Sequence, residues 1–143
     1  MKNLFLLLFV SISLSSFSQK NSDVTGEWYN AEKDAIITIF EDNNTLSGKI
    51  TWMLNPNDEN GNPKKDPLNP NKDLRDRARL GMVMMTKFAY QKDNVWDGGT
   101  LYDPKTGKTY SGMITLKDKN TLDLRGYVGI ALLGRTSTWT RAK

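Results

Sequence analysis

The chain has 143 residues, of which 38% are hydrophobic and 25% charged, enough for one domain with a sizeable core and too few for two. It contains neither cysteine nor histidine, which excludes disulfides, thiolate metal sites, Ser-His-Asp and Cys-His catalysis, and the usual zinc and non-haem iron ligand sets. The formal charge of +4 is scattered along the chain rather than gathered on one stripe, which argues against a nucleic-acid partner.

Met1-Lys2-Asn3 is a short basic start, Leu4–Leu14 is almost wholly apolar, and Ser16-Phe17-Ser18 offers small residues ahead of a polar chain. This pattern predicts a bacterial signal peptide over residues 1–18, cut between Ser18 and Gln19, and a mature domain over residues 19–143. The apolar run is shorter than the ~20 residues a span requires, so no membrane span is expected after cleavage. With no cysteine at the junction there is no lipoprotein anchor, and the expected location is the periplasm or the cell exterior.

In the mature chain, Gly26-Glu27-Trp28-Tyr29 opens a first strand and Ala35–Phe40, rich in β-branched residues, is a second. Asp42-Asn43-Asn44 marks a turn, and Thr45–Trp52 alternates with Leu46, Gly48, Ile50 and Trp52 on one face. Met53–Asn71 holds four of the five prolines among Asn, Asp and Lys: a long polar loop, either a lid or rim over a barrel mouth or a solvated insertion. Within it, Asp58-Glu59-Asn60-Gly61-Asn62 is oxygen-rich, but an EF-hand alignment puts Pro56 and Pro67 at the first and last ligand positions, so no metal site is assigned. Asn71–Leu80 reads as one short helix with Asn71 as N-cap and Asp73 paired to Arg77. Arg75 and Arg79 would then share a face that is either salt-bridged or holds an anion. Met82–Tyr90 is a fourth strand. Val95–Leu116 is a hairpin turning at Asp103–Gly107, with Gly98-Gly99 marking a bulge or corner between Trp96 and Tyr102. Thr121–Tyr127 and Leu132–Arg141 complete eight strands. Short turns join most of them, and the expected fold is an all-β, antiparallel up-and-down barrel with one long loop and a short helix.

Gly26-x-Trp28 on the first strand, with Trp139 and Arg141 on the last, resembles the lipocalin and calycin signature, in which an arginine of the final strand covers the first-strand tryptophan. The ordered blocks Leu46-Ser47-Gly48-Lys49-Ile50, Asn69-Pro70, Leu80-Gly81, Trp96-Asp97-Gly98-Gly99, Leu101-Tyr102-Asp103-Pro104, Leu124-Arg125-Gly126-Tyr127 and Leu133-Gly134-Arg135 are similar, over nearly the whole mature chain, to the DUF2147 family of secreted bacterial proteins. The resemblance implies a lipocalin-like barrel in the envelope and implies no activity. It departs at Arg77-Ala78-Arg79, where the family pattern has Arg-Pro.

The structural signature is therefore Gly26, Trp28, Gly98, Gly99, Trp139 and Arg141. The candidate ligand-binding set is Met82, Met84, Met85 and Phe88 with Trp96, Asp97, Tyr110, Arg125 and Tyr127. The methionines and Phe88 either line a pocket or fill the core, since a small eight-stranded barrel does one or the other. Arg125 would select an anionic ligand if it faced inward, but strict alternation against Leu122 and Leu124 turns it outward unless a bulge at Gly126 resets the register. Asp97, Asp103, Asp123 and Glu27 are the carboxylates from which an acid/base pair would have to come. The expectation is a binding protein without cofactor or metal, taking a small hydrophobic or amphiphilic ligand. The alternative is a solid barrel acting as an envelope interaction module, with an enzyme third.

Overall fold

Runs of β-branched and aromatic residues, each ended by a tight turn, form eight strands: β1 (Gly26–Tyr29), β2 (Ala35–Asp42), β3 (Thr45–Met53), β4 (Val83–Tyr90), β5 (Val95–Asp103), β6 (Lys108–Asp118), β7 (Thr121–Tyr127) and β8 (Arg135–Arg141). The computed structural model describes residues 20–142, so the leader assigned to residues 1–18 lies outside the described residues. Each strand pairs antiparallel with the next, and β1 pairs with β8, giving the closed up-and-down barrel expected from the sequence.

One end is tied by turns of two to four residues. Asn43 and Asn44 take φ of 49° and 64°, and Asp93 and Asn94 take 52° and 60°, the left-handed pairs that match hairpin twist. Beneath these turns the barrel is solid. Trp28, Ile39, Leu46, Met85, Phe88, Trp96, Ile114 and Leu122 have essentially no exposure. Phe88 reaches the centre because two facing strands carry no side chain there. A Cβ on Gly99 would lie 2.4 Å from its ring and one on Gly112 would lie 2.6 Å away. Gly98, at φ 73°, forms the bulge that shifts the β5–β6 register between Trp96 and Gly99.

The segment before β1 seals this end. Val24 is fully buried, and the fully buried Asn21 accepts a 2.8 Å bond from the Trp96 indole while donating to the Asn44 carbonyl. Arg141 lies over the Trp28 ring, 4.2 Å from its centroid, and donates to the carbonyls of Lys119, Thr25 and Asp23 at 2.9 Å each. The lipocalin-type pairing of first-strand tryptophan and last-strand arginine is thus formed.

The structure corrects three local expectations. Asn71–Leu80 is not a helix. Asn71 caps, but only a single 3-10 turn, Lys72–Leu74, follows. The arginines are drawn back to the preceding loop instead. Arg77 pairs with Asp66 rather than Asp73, Arg75 bonds the Asn69 carbonyl, and Arg79 bonds that of Lys65 while its own N–H donates to Lys64. Between them Ala78 forms an isolated antiparallel bridge with Lys65. Trp52 faces outward, because a register shift between Ile36 and Ile37 turns it away from the Leu46–Ile50 face, and it packs edge-on against Tyr29 at 6.2 Å. The final strand starts at Arg135 rather than Leu132, since Ala131–Leu133 forms a 3-10 turn.

The long β3–β4 connection is fixed by one buried carboxylate. Asp66, with no exposure, accepts from Tyr102 Oη at 2.6 Å, Asn69 Nδ2 at 2.8 Å and Arg77 Nε at 3.0 Å. Burial raises the Asp66 carboxyl, but these three bonds outweigh it and hold the group below the usual range. Burial, then the bond to Asp66, pushes the Tyr102 hydroxyl up to about 12.

Gly99→Ala should destabilise the fold by about 1–3 kcal/mol in urea unfolding by driving a methyl into Phe88. Phe88→Leu in the same chain should recover part of that loss, because the two residues are in contact. Asp66→Ala should cost roughly 1–3 kcal/mol by leaving Tyr102 and Asn69 unpaired. Because the folded Asp66 carboxyl lies below its unfolded value of about 3.9, its stabilisation is complete above that value and is lost as pH falls from there through the folded value. Stability of Asp66→Asn, measured against pH, should therefore show a shallower acid limb than the native protein.

Candidate functional site

The other end of the barrel carries connections 30–34, 54–82, 104–107 and 128–134, all but the third longer than any at the closed end, and there the interior is not filled. A cavity of about 400 Å³ opens between them, within the size range of small-molecule sites. Its walls are the mouth-ward inward residues of seven strands: Ile37, Ile50, Met84, Leu101, Tyr110, Leu124, Ser137 and Trp139. The solid half of the barrel, ending at Phe88, lies beyond them.

The rim is polar and comes from three connections. In the β1–β2 turn, Asn30 Nδ2 donates to Asp34 at 2.6 Å and to Glu32 at 3.2 Å, and its carbonyl oxygen accepts from the N–H groups of Asp34 and Ala35. Lys105 reaches across from the β5–β6 turn to Asp34 at 3.5 Å. The Asn30 bond, opposed by burial and aided by Lys105, holds the Asp34 carboxyl below its usual value. Asp103, also on the rim, caps its own turn through Lys105 N and Thr106 Oγ1. The long connection contributes Asn55, Lys64 and Arg79. Lys64 is half-buried, and its ammonium group has no hydrogen-bond or ion-pair partner among the described residues. The Arg79 guanidinium uses Nε on the Lys65 carbonyl and is otherwise open to the mouth. The rim therefore presents paired acids on one side and uncommitted cations on the other.

Of the ligand-binding set drawn from the sequence, Met84 and Tyr110 line this cavity. Met85, Phe88 and Trp96 are fully buried in the solid half, and Met82 is buried just ahead of β4, where its carbonyl accepts from Ile50 N–H at 3.0 Å. Asp97 and Tyr127 meet at 3.1 Å away from the cavity, and Asp97 also accepts from Gly98 N–H at the bulge. Burial, then Asp97, raises the Tyr127 hydroxyl. Arg125 pairs with Thr136 in an unbroken β7–β8 register and faces outward, where it holds the Ala131 and Leu132 carbonyls and Thr136 Oγ1. No bulge at Gly126 turns it in. Asp123 accepts from Thr138 Oγ1, and Asp58 caps its own turn through the N–H groups of Asn60 and Asn62. Among the described residues no group of three acidic residues is placed to hold a metal ion.

The sequence reading passed over most of the site. Alternation already places Ile50 and Leu124 on inward faces, but their position along the barrel depends on which end carries the long connections. Lys64 and Arg79 are brought to the mouth by contacts within a loop whose path no periodicity encodes.

The model of a family described as an uncharacterized protein conserved in bacteria, DUF2147, matches residues 26–141, from the first strand to the last. No curated protein matches the chain. Among solved structures the chain is similar to HP1028 of the human pathogen Helicobacter pylori, described as belonging to the lipocalin family. The two are 28% identical over 76% of this chain and 73% of that one, with a TM-score of 0.66. The match runs from the glycine beside Trp28 to the arginine that covers it, and on that evidence the chain belongs to the DUF2147 family, built as a lipocalin-type barrel.

Proposed function

We propose that this protein is an exported carrier or sensor that binds one small amphiphile in the barrel, with its apolar part among Ile37, Ile50, Leu101, Leu124 and Trp139. Its anionic end meets Lys64 and Arg79. The observation that carries this reading is the pairing of an apolar-walled cavity of about 400 Å³ with a half-buried, unpartnered lysine at its mouth. A cation at the mouth that no carboxylate of the chain engages favours a ligand that brings a counter-charge. The leader-like residues 1–18 support export to the periplasm or beyond. The cavity weighs against a barrel that works only through its outer surface. The strand carboxylates Asp97, Asp103 and Asp123 are each bonded to near neighbours, which supports a binding role over acid/base chemistry.

Titration with fatty acids of increasing chain length should change tryptophan emission saturably, and Trp139→Phe should remove most of that change. Lys64→Glu should weaken binding of the acids by about tenfold, roughly 1.4 kcal/mol, and leave alcohols of equal chain length unaffected. Leu124→Trp, which fills the cavity, should abolish both. A flat response across acids, alcohols and amines would sink the proposal.

A further inference from the structure

The large apolar side chains that remain exposed among the described residues gather at the cavity end, and none belongs to a closed-end turn. The β7–β8 connection is the extreme case. Val128, Ile130, Leu132 and Leu133 are 72%, 58%, 82% and 75% exposed, in a loop of seven residues beside the mouth. Connections of this kind are ordinarily polar, and four adjacent exposed aliphatic side chains call for an apolar partner.

We infer that this loop docks the protein on a lipid bilayer, setting the cavity mouth against the headgroups. Three observations favour a membrane over another protein. The first is how the loop treats its backbone. The Ile130 carbonyl accepts from Leu133 N–H and the Ala131 carbonyl from Gly134 N–H, while Arg125, from beneath, donates to the carbonyls of Ala131 and Leu132. The side chains point out and these carbonyls are satisfied from within, as entry into a medium without water requires. The second is charge. From Leu124 to the end of the chain there is no Asp or Glu, while Arg125 and Arg135 flank the loop and Lys108 begins the adjacent strand β6, a pattern suited to anionic headgroups. The third is size. Four such side chains offer on the order of 400 Å² of apolar surface. A stable protein interface takes about 800 Å² from each partner. A small protruding tip suits a deformable bilayer.

The test uses the chain from Gln19 onward, which holds the whole barrel and lacks the apolar residues 4–14 that would partition by themselves. Ligand-free protein should float with vesicles containing phosphatidylglycerol, and less with phosphatidylcholine alone. Leu132→Asp/Leu133→Asp should reduce vesicle binding by at least about tenfold. Both side chains are exposed, so the melting temperature should not move. The same two charges placed at the closed end, Asn44→Asp/Asn94→Asp, should leave binding unchanged. Equal binding by the leucine variant, or no binding to either vesicle, overturns the inference. So does a concentration-dependent dimer that the leucine substitutions abolish, because a second copy would then be the partner. The cavity reading fails separately: vesicle binding with no response to any amphiphile would remove that reading and leave this one standing.

Discussion

Barrel closure rests on a seam of two residue pairs, Trp28 with Arg141 and Tyr29 with Thr140, against eight pairs between β2 and β3. Arg141 makes so short a seam hold. Its planar head covers the indole while its three nitrogens bond carbonyls of the entering segment and of the β6–β7 turn, tying β1, β8 and the seal before β1 into one unit. The acceptors are neutral carbonyls, so no carboxylate titrates at this junction. Burial pushes the guanidinium down from its usual value, yet arginine keeps its proton throughout the ordinary pH range.

From that fixed end the barrel becomes progressively less filled. Gly48, Gly99 and Gly112 withdraw side chains where Met85 and Phe88 enter, so the solid half owes its density to what the strands omit as much as to what they supply. Past Phe88 lies the cavity, walled by side chains such as Ile37, Leu101 and Leu124. The asymmetry of the turns follows the same division: turns of two to four residues above the packed half, and connections of up to 29 residues around the open one. Function, on this reading, occupies the half of the barrel that its own side chains leave empty.

Much of the architecture could be read from the sequence because alternation along a strand is local. The alternation of Leu122, Leu124 and Gly126 after the turn at Lys117–Asn120 places β7 at Thr121–Tyr127, and Pro104 with Gly107 marks the turn after Asp103. Reading failed where one extra residue or one distant partner changed the outcome. The irregularity opposite Ile36 and Ile37 reverses the face of Trp52. The helix expected at Asn71–Leu80 had good local support. It lost to Asp66, a residue outside the segment that claims Arg77 and, from another strand, Tyr102. The rim depends on such meetings between connections far apart in sequence, so only the walls of the cavity had a readable signal.

The two-pair seam also dictates when the molecule can become itself. Arg141 reaches back to carbonyls 116 and 118 residues earlier in the chain, so the contact that completes the cylinder belongs to the last strand to be synthesised. Until that strand is available, β1 has one bare edge and the N-terminal seal lacks its cover. The pairings that build the sheet from β1 to β7 all join sequential strands, and pairings local in sequence are the quick ones to form. Closing it is a single late event across nearly the full length of the polypeptide. Until β8 has paired with β1 the sheet stays open, and the cylinder exists only once both of those strands are present together.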